Sequence, residues 1–310
     1  MKVTYIRNSQ IDRKRWDACI TQSVNGIAYG YSWYLDVVCE GWDALIMDNY
    51  SAVMPLTHGR KFGVSYLYQP FFTQQLGVFA TVIPSSGLVQ QFLEAIPLKY
   101  KFVDISLNTY MDSKSIVGFE KENRQTYQVD LVQSYSRLYQ KYSKNTQRNL
   151  AKAIALGVSV VKGLDIATFL AFTHAHLKAD LPEQANSIMD KLVRQLISGG
   201  RGVIMGAYSN TNELCAAALF VRTHGKSIYL LASSSEAGIE NRGMFLLIDA
   251  YIQEHSEEPI VLDFEGSMIP GVANFYNGFG AQPSSYARIC RKKLPKIALW
   301  GLALKQRLLH

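Results

Sequence analysis

The sequence has no apolar run long enough to cross a bilayer, and it has few cysteines. No window of its 310 residues reaches the roughly 18 uncharged apolar residues of a membrane-spanning helix. The amino-terminal stretch MKVTYIRNSQIDRKRW also lacks the apolar core of a signal peptide. The 4 cysteines are far apart, with neither a CxxC pair nor the Cys and His spacing of a zinc site. These absences predict a cytoplasmic protein with reduced thiols and no bound metal.

The chain also lacks a linker rich in proline or in glycine and serine. A length of 310 residues suits two domains of about 150 residues each. The order of predicted elements appears twice, which indicates a duplicated α/β (α+β) unit. We place the amino-terminal domain at 1–128 and the carboxy-terminal domain at 129–310. The formal charge of +7 favours polyanionic partners such as coenzyme phosphates, RNA or anionic lipid.

The stretch LDFEGSMIPGVANFYNGFGA at 262–281 contains glycines that suggest a nucleotide loop. Gly266 and Gly271 have the spacing of a phosphate loop, but Val272 and Ala273 stand where that loop needs Lys and Ser or Thr. The Gly-Phe-Gly at 278–280 follows a predicted helix, whereas a dinucleotide fingerprint follows a strand. The stretch therefore matches neither motif.

Two carboxylates remain at the end of the predicted strand in this stretch. Asp263 and Glu265 are two positions apart, so an extended strand would direct both to one face of the sheet. Paired carboxylates can do acid–base work. The alternative interpretation is that one of them caps the next helix or pairs with a lysine.

Four segments in a fixed order carry a resemblance to a known family. They are TYQVDL at 126–131, YSKNTQRNLAKAIALGVSVV at 142–161, NRGMFLLIDAYIQEH at 241–255, and the stretch at 262–281. Together they resemble the Fem-type transferases, a branch of the GNAT superfamily of N-acyltransferases that builds peptidoglycan cross-bridges. The resemblance implies two tandem GNAT-like acyl-CoA N-acyltransferase domains, each a mixed, mostly antiparallel sheet flanked by helices. In the first half it rests on element order and on YQPFFTQQLGVF.

The sequence departs from the family pattern in two places. No segment matches the long helical arm that Fem-type enzymes use to hold aminoacyl-tRNA, which makes tRNA an unexpected partner. The turn IENRGMF carries one glycine where single-domain acetyltransferases have a glycine-rich pyrophosphate turn. We therefore expect a transferase that uses acyl-CoA as donor, with aminoacyl-tRNA as second choice and an amine of a bacterial cell-wall or other envelope precursor as acceptor. The alternatives are a non-catalytic ligand-binding protein that keeps the fold and, third, a basic RNA-associated protein.

The resemblance also implies a donor site. The donor would lie against the splayed strand SIYLLASSS, and its phosphates would lie at the start of the next helix, where free N–H groups favour anions. Ordinary helix capping is the alternative interpretation of this turn. The implied donor-binding residues are Leu231, Ala232, Ser233, Ser234, Asn241, Arg242 and Gly243.

For proton transfer, the general base is predicted to be Asp263 or Glu265. Tyr276 and Tyr286 are the candidate proton donors to the leaving group, although Tyr276 also suits a core position.

Two further groups are candidates for substrate binding. A predicted helix from 134 to 156 carries a basic stripe in which Arg148 and Lys152 either hold a phosphorylated ligand or form a solvated face. The run YLYQPFFTQQLGVF at 66–79 is either a core strand with hydrogen-bonded amides or the wall of a substrate cleft. Its candidate residues are Gln69, Phe71, Gln74 and Gln75.

The carboxy-terminal tail RKKLPKIALWGLALKQRLLH at 291–310 combines a basic cluster with an amphipathic stretch. Such a segment either docks on its own domain or lies on an anionic membrane surface. Peripheral membrane contact by a cytoplasmic protein is therefore one expectation.

Overall fold

The computed structural model describes residues 2–111, 115–177, 181–266 and 268–293. The chain forms two compact units, Met1–Asn123 with Tyr286–His310, and Arg124–Ser285. The division predicted between residues 128 and 129 stays a prediction. The tail from residue 294 onward, with its predicted amphipathic character, lies outside the described residues.

The described part of the first unit contains two groups of strands and three α-helices. Its strands pair in the orders β1-β2-β3-β6 and β4-β5-β7-β14, and the β5-β7 pair is parallel. Its elements are β1 (Val3–Ile6), α1 (Arg13–Gln22), α2 (Ser32–Val38), β2 (Asp43–Met47), β3 (Ala52–Leu56), β4 (His58–Lys61), β5 (Val64–Tyr68), β6 (Phe79–Ala80), α3 (Ser86–Glu94), β7 (Tyr100–Ser106) and the end of β14 (Gln282–Lys292).

The core of the first unit follows from apolar runs in its strands. Every residue of β2 and β3 is buried, as expected for strands that are covered on both faces. Helix α1 begins at Asp12, whose side chain accepts a hydrogen bond from the N–H of Arg15. Trp16 of this helix is fully buried against Trp42, with 4.6 Å between the ring centroids.

The second unit contains a mixed, mostly antiparallel sheet flanked by helices. Its strand order is β8-β13-β12-β11-β10-β9, in which the β12-β13 pair is parallel. Its elements are the end of β8 (Glu120–Asp130), α4 (Tyr135–Gln140), α5 (Lys144–Ala155), β9 (Ser159–Lys162), α6 (Ile166–His176), α7 (Glu183–Ser198), β10 (Gly202–Tyr208), β11 (Leu214–Thr223), β12 (Lys226–Ser234), α8 (Glu236–Glu240), α9 (Gly243–Glu254), β13 (Val261–Asp263) and α10 (Pro270–Asn277).

The long helix predicted from 134 to 156 is two helices, α4 and α5. The helix is interrupted between them because Ser143 is the N-cap residue of a new helix. Its side chain accepts a hydrogen bond from the N–H of Thr146, and its own N–H donates to the carbonyl of Gly278 at 2.9 Å. Helix α5 ends at Ala155, one residue before the predicted end at 156, and the φ of +71° at Gly157 explains the glycine there. The basic stripe is therefore interrupted between the two helices.

The run 66–79, predicted to be a core strand with hydrogen-bonded amides or a cleft wall, is not one continuous strand. β5 ends at Tyr68, a turn follows in which Phe72 has φ of +57°, and the chain becomes extended again at β6. The side chains of Gln69 and Gln75 stabilise the turn and its neighbour. Gln69 donates to the carbonyl of Thr73 at 2.7 Å, and Gln75 accepts from the N–H of Thr109 at 3.1 Å.

Helices α8 and α9 lie very close to β11 because glycines face that strand. A Cβ on Gly238 would lie 1.7 Å from the carbonyl oxygen of Cys215, and one on Gly243 would lie 2.9 Å from its Sγ. Only glycine fits at Gly238 without displacement of the backbone.

Replacing Gly238 by Ala is expected to lower the free energy of unfolding by about 3 kcal/mol, because the added methyl group would overlap a backbone carbonyl. Urea denaturation measures this change. The control is Gly87→Ala in α3, where the nearest atom to a new Cβ is 4.0 Å away. That substitution is expected to raise stability by about 0.5 kcal/mol. Equal stability of the two variants would show that α8 does not pack as described.

Candidate active site

The second unit contains a cavity of about 450 Å³ at the junction of β12 and α9. Most of its wall is apolar or aromatic, and Arg242 supplies a guanidinium group. Its lining residues are His176, Leu177, Tyr229, Ala232, Ser233, Ser234, Gly238, Ile239, Arg242, Met244, Phe245, Val272, Phe275 and Tyr276.

The β12 wall of the cavity lies where the strand loses one neighbour. β12 pairs with β13 only from Lys226 to Ile228, whereas its pairing with β11 continues to Ser234. The lining segment Ala232 to Ser234 therefore has a strand partner on one side only among the described residues. Alternate N–H groups of such a segment are directed away from the paired strand. This end of β12 can donate hydrogen bonds to a ligand.

Arg242 occupies the position just before α9. Its φ of +60° places it in the left-handed region as the N-cap residue of that helix. Its Nη1 donates to the carbonyl of Ile239 at 2.6 Å, and its Nε is buried with no hydrogen-bond partner within the described part of the chain. The guanidinium and the first N–H groups of α9 together form an electropositive corner of the cavity.

Four of the seven predicted donor-binding residues line the cavity, namely Ala232, Ser233, Ser234 and Arg242. The other three do not. Leu231 is buried in β12 and Gly243 packs against Cys215, while Asn241 is half-buried at the end of α8.

Asp263 is a buried carboxylate with several partners. Only 2% of its surface is exposed, and it accepts hydrogen bonds from the hydroxyl of Thr126, the amide of Gln128 at 2.7 Å and the N–H of Glu265 at 2.9 Å. The ammonium of Lys226 lies 3.7 Å away. These contacts hold Asp263 in the sheet, and it does not line the cavity.

Glu265 has a different environment from Asp263. The strand ends at Asp263 and Glu265 has φ of +61°, so the alternation that predicts a shared face does not extend to it. Its Oε1 atom is buried and has no hydrogen-bond partner among the residues that the structure describes. Burial raises the pKa of this carboxyl from 4.5 to about 8.

Tyr276 lies in the cavity wall, whereas Glu265 does not line the cavity. The tyrosine projects from α10 into the cavity wall and stacks on Phe264 with 4.7 Å between ring centroids. Burial and the nearby charge of Glu265 raise the pKa of its hydroxyl. The hydroxyl therefore stays protonated and can donate a proton or a hydrogen bond.

The predicted substrate-binding residues are elsewhere. Arg148 and Lys152 are exposed on α5 and do not line the cavity. Gln69, Gln74 and Gln75 belong to the first unit, where Gln75 donates to Gln74 at 2.7 Å, and Phe71 is exposed there. Tyr286, a predicted proton donor, is buried in the β14 segment of the first unit. Roles for these residues stay predictions.

Several lining residues were not predicted from the sequence. Val272 and Phe275 were missed on α10, although Tyr276 on the same helix was predicted. Val272 is three positions before Phe275 and four before Tyr276, so helical periodicity could have placed them on one face. His176 and Leu177 come from the end of α6. No local sequence pattern predicts that this helix end lies near β12, because the contact depends on the packing of the whole unit.

Within the described ranges, no group of three or more His, Cys, Asp and Glu side chains is arranged to hold a metal ion. In the same part of the chain, no helix has both the length and the apolarity needed to span a bilayer.

Comparison with solved structures decides the fold. FemX aligns with a TM-score of 0.65 at 13% identity, over 97% of this chain and 99% of FemX. A tandem GNAT protein from the clavulanic acid biosynthesis pathway aligns with a TM-score of 0.53 at 10% identity, over 95% of this chain and 99% of that protein. The chain has a tandem GNAT fold. The L-PGS structure from Bacillus licheniformis is also similar, with a TM-score of 0.56 at 11% identity over 96% of both chains.

The predicted fold class is thus confirmed, as is the resemblance to Fem-type transferases at the level of fold. Comparison with protein-family models gives no match, and comparison with curated protein sequences gives none either.

Proposed function

We propose that the second unit is an N-acyltransferase that moves an acyl or aminoacyl group from an activated donor to an amine. The observation that carries the proposal is the position of Tyr276. It lines the cavity at the end of β12 and lies beside Glu265, a carboxyl with a buried oxygen and a raised pKa. Buried acids with shifted pKa values beside a cavity are typical of general acid–base sites.

The cavity suits a donor with an apolar arm and an anionic end. Met244, Phe245 and Phe275 offer apolar surface to the arm, whereas Arg242 and the start of α9 favour phosphate groups. The buried Nε of Arg242 without a partner supports a ligand that accepts its hydrogen bond. Acyl-CoA has both features and is the first donor proposed.

The transfer step uses Tyr276 and the end of β12, which line the cavity, and Glu265, which does not line it but acts electrostatically on Tyr276. The amine nitrogen attacks the carbonyl carbon of the donor while its proton passes to Glu265. The N–H groups at the end of β12 stabilise the oxyanion. The C–S bond of a thioester, or the C–O bond of an ester, then breaks, and the leaving sulfur or oxygen takes a proton from Tyr276. The proton that Glu265 accepted passes to the tyrosinate, which returns both residues to their starting states. Because the pKa of the Glu265 carboxyl is about 8, its carboxylate is a stronger base than that of an ordinary glutamate. It therefore accepts the proton of the attacking amine more readily.

Aminoacyl-tRNA stays in the set of donors to be tested. The expectation that tRNA is not a partner rests on a missing helical arm, and the comparisons do not support that exclusion. The alignment covers 99% of FemX, so this chain lacks no large part of that structure. The acceptor is proposed from the resemblance alone as an amine of a cell-wall or other envelope precursor, which a cytoplasmic enzyme would modify.

Thermal shift with acetyl-CoA, longer acyl-CoAs and an aminoacyl-tRNA pool tests the donor. We expect one donor to raise the melting temperature of the wild type and to have at least about a tenfold weaker effect on Arg242→Ala, because a charge-assisted contact is lost. Arg194→Ala, an exposed change on α7, is the matched control and should respond like the wild type. A response without transfer to any amine would favour the ligand-binding alternative.

A further inference from the structure

Phe62 stands at the tip of the β4–β5 hairpin with 93% of its surface exposed. The two turn residues, Phe62 and Gly63, have φ of +50° and +76°. A two-residue turn with two positive φ values is best made by Asn-Gly, because a bulky side chain is disfavoured in the left-handed region. This position therefore carries a large apolar ring where both the backbone and the solvent favour a small polar residue.

Basic residues surround this hairpin tip. In the parallel β5-β7 pair, Ser65 is opposite Tyr100, and in the antiparallel β7-β14 pair, Phe102 is opposite Lys292. The start of β7 and the end of β14 therefore lie at the same end of these strands as the turn. We call this region the basic end of the first unit. Its exposed cationic residues are Arg60, Lys61, Lys101, Lys292 and Lys293.

Three neighbours modify this charge pattern. Glu120 is an exposed acidic residue at the start of β8, and its charge acts on Cys290 together with the opposite charge of Lys292. Lys99 is at the same end, but its ammonium lies 3.4 Å from the carboxylate of Asp43, which offsets part of its charge. Leu98 precedes it and is 69% exposed, so a second apolar side chain accompanies Phe62. The basic end thus combines a cluster of cations with apolar groups that protrude into solvent.

We propose that the basic end of the first unit binds an anionic lipid bilayer, with Phe62 inserted among the headgroups. Lysine and arginine are attracted to the negative surface potential of such a bilayer, and exposed apolar side chains partition into its interface. Single-stranded nucleic acid is less well matched, since it is bound by several stacking aromatic rings along a groove and gains little from Leu98. This inference does not depend on the proposed transferase activity.

Co-sedimentation of the full chain with vesicles tests the inference. We expect binding to vesicles of phosphatidylglycerol and phosphatidylcholine, little binding to pure phosphatidylcholine, and weaker binding as salt is raised. Phe62→Asn should reduce binding to anionic vesicles about tenfold, because the ring that inserts among the headgroups is lost. Its melting temperature should be unchanged or higher, since Asn suits the turn. In Phe62→Trp, the additional indole emission should shift to shorter wavelength when vesicles are added.

Charge variants complete the test. Lys61→Gln with Lys101→Gln should weaken vesicle binding by about fivefold for each lysine removed. The matched control removes two exposed charges from α7 of the second unit, Lys191→Gln with Arg194→Gln, and should bind like the wild type. Val82→Ser is the control for an exposed apolar side chain, 65% exposed and located before α3.

All of these variants keep the carboxy-terminal tail. Binding that is indifferent to Phe62→Asn and to the Lys61 and Lys101 changes would overturn the proposal. So would equal binding to zwitterionic and anionic vesicles, or binding to single-stranded RNA in place of vesicles.

Discussion

Glu265→Gln is expected to slow acyl transfer by about 100-fold or more, because the amine would lose its proton acceptor. In the wild type, kcat/KM should rise with pH and level off above about 8, where Glu265 becomes ionised. The glutamine variant should lose this dependence together with the rate. Asp263→Asn is the matched comparison. It should lower stability by breaking the contacts to Thr126 and Gln128 and should keep the pH profile.

Glu265→Gln, which should lower activity, should raise the free energy of unfolding. The folded-state pKa of Glu265 is about 8 and its ordinary value is 4.5, so between these pH values the unfolded chain releases a proton that the folded chain retains. Unfolding of the wild type is therefore favoured as pH rises through this window. Glu265→Gln lacks this penalty, so its stability advantage should grow from pH 5 to pH 8 and then stay constant. A constant difference between wild type and variant over that range would contradict the buried, ionisable carboxyl.

Ala232→Phe should weaken donor binding by roughly 100-fold. Ala232 lies in the part of β12 that lines the cavity, and a ring at this position would occupy the space proposed for the donor. A clash of about 3 kcal/mol corresponds to a dissociation constant raised roughly 100-fold. Titration calorimetry with the donor that responds in the thermal-shift test measures the change.

The control for this experiment is Ala155→Phe, which places the same ring on the exposed face of α5. It should bind the donor like the wild type. The melting temperatures of both variants without donor show whether each is folded. If a folded Ala232→Phe binds as tightly as the wild type, the donor lies outside the cavity.

The sequence allows the fold and part of the site to be predicted, for physical reasons that differ between residues. Strands such as β13 and helices such as α9 follow from local apolar patterns, and the splayed end of β12 follows from the family resemblance. The sequence does not show which of Asp263 and Glu265 is the better candidate for the general base. That choice depends on the positive φ of Glu265 and on Thr126, which is distant in sequence and hydrogen-bonds to Asp263.

The errors over 134–156 and 66–79 have a common cause. In both places the chain has the apolar content and the periodicity of one continuous element, and a side-chain hydrogen bond or a positive φ interrupts it. Ser143 interrupts the helix by capping a new one, and the turn at Phe72 interrupts the strand. Because such interruptions are stabilised by tertiary partners such as the carbonyl of Gly278, periodicity alone does not reveal them.

The crystal structure of the chain with the responding donor, or with an unreactive analogue of it, is the most direct test of the proposed active site. We predict that the acyl carbonyl lies in the cavity of the second unit, between the end of β12 and Tyr276, with the anionic end of the donor near Arg242. Donor density on any other surface of the protein, with this cavity holding only solvent, would contradict the proposed active site.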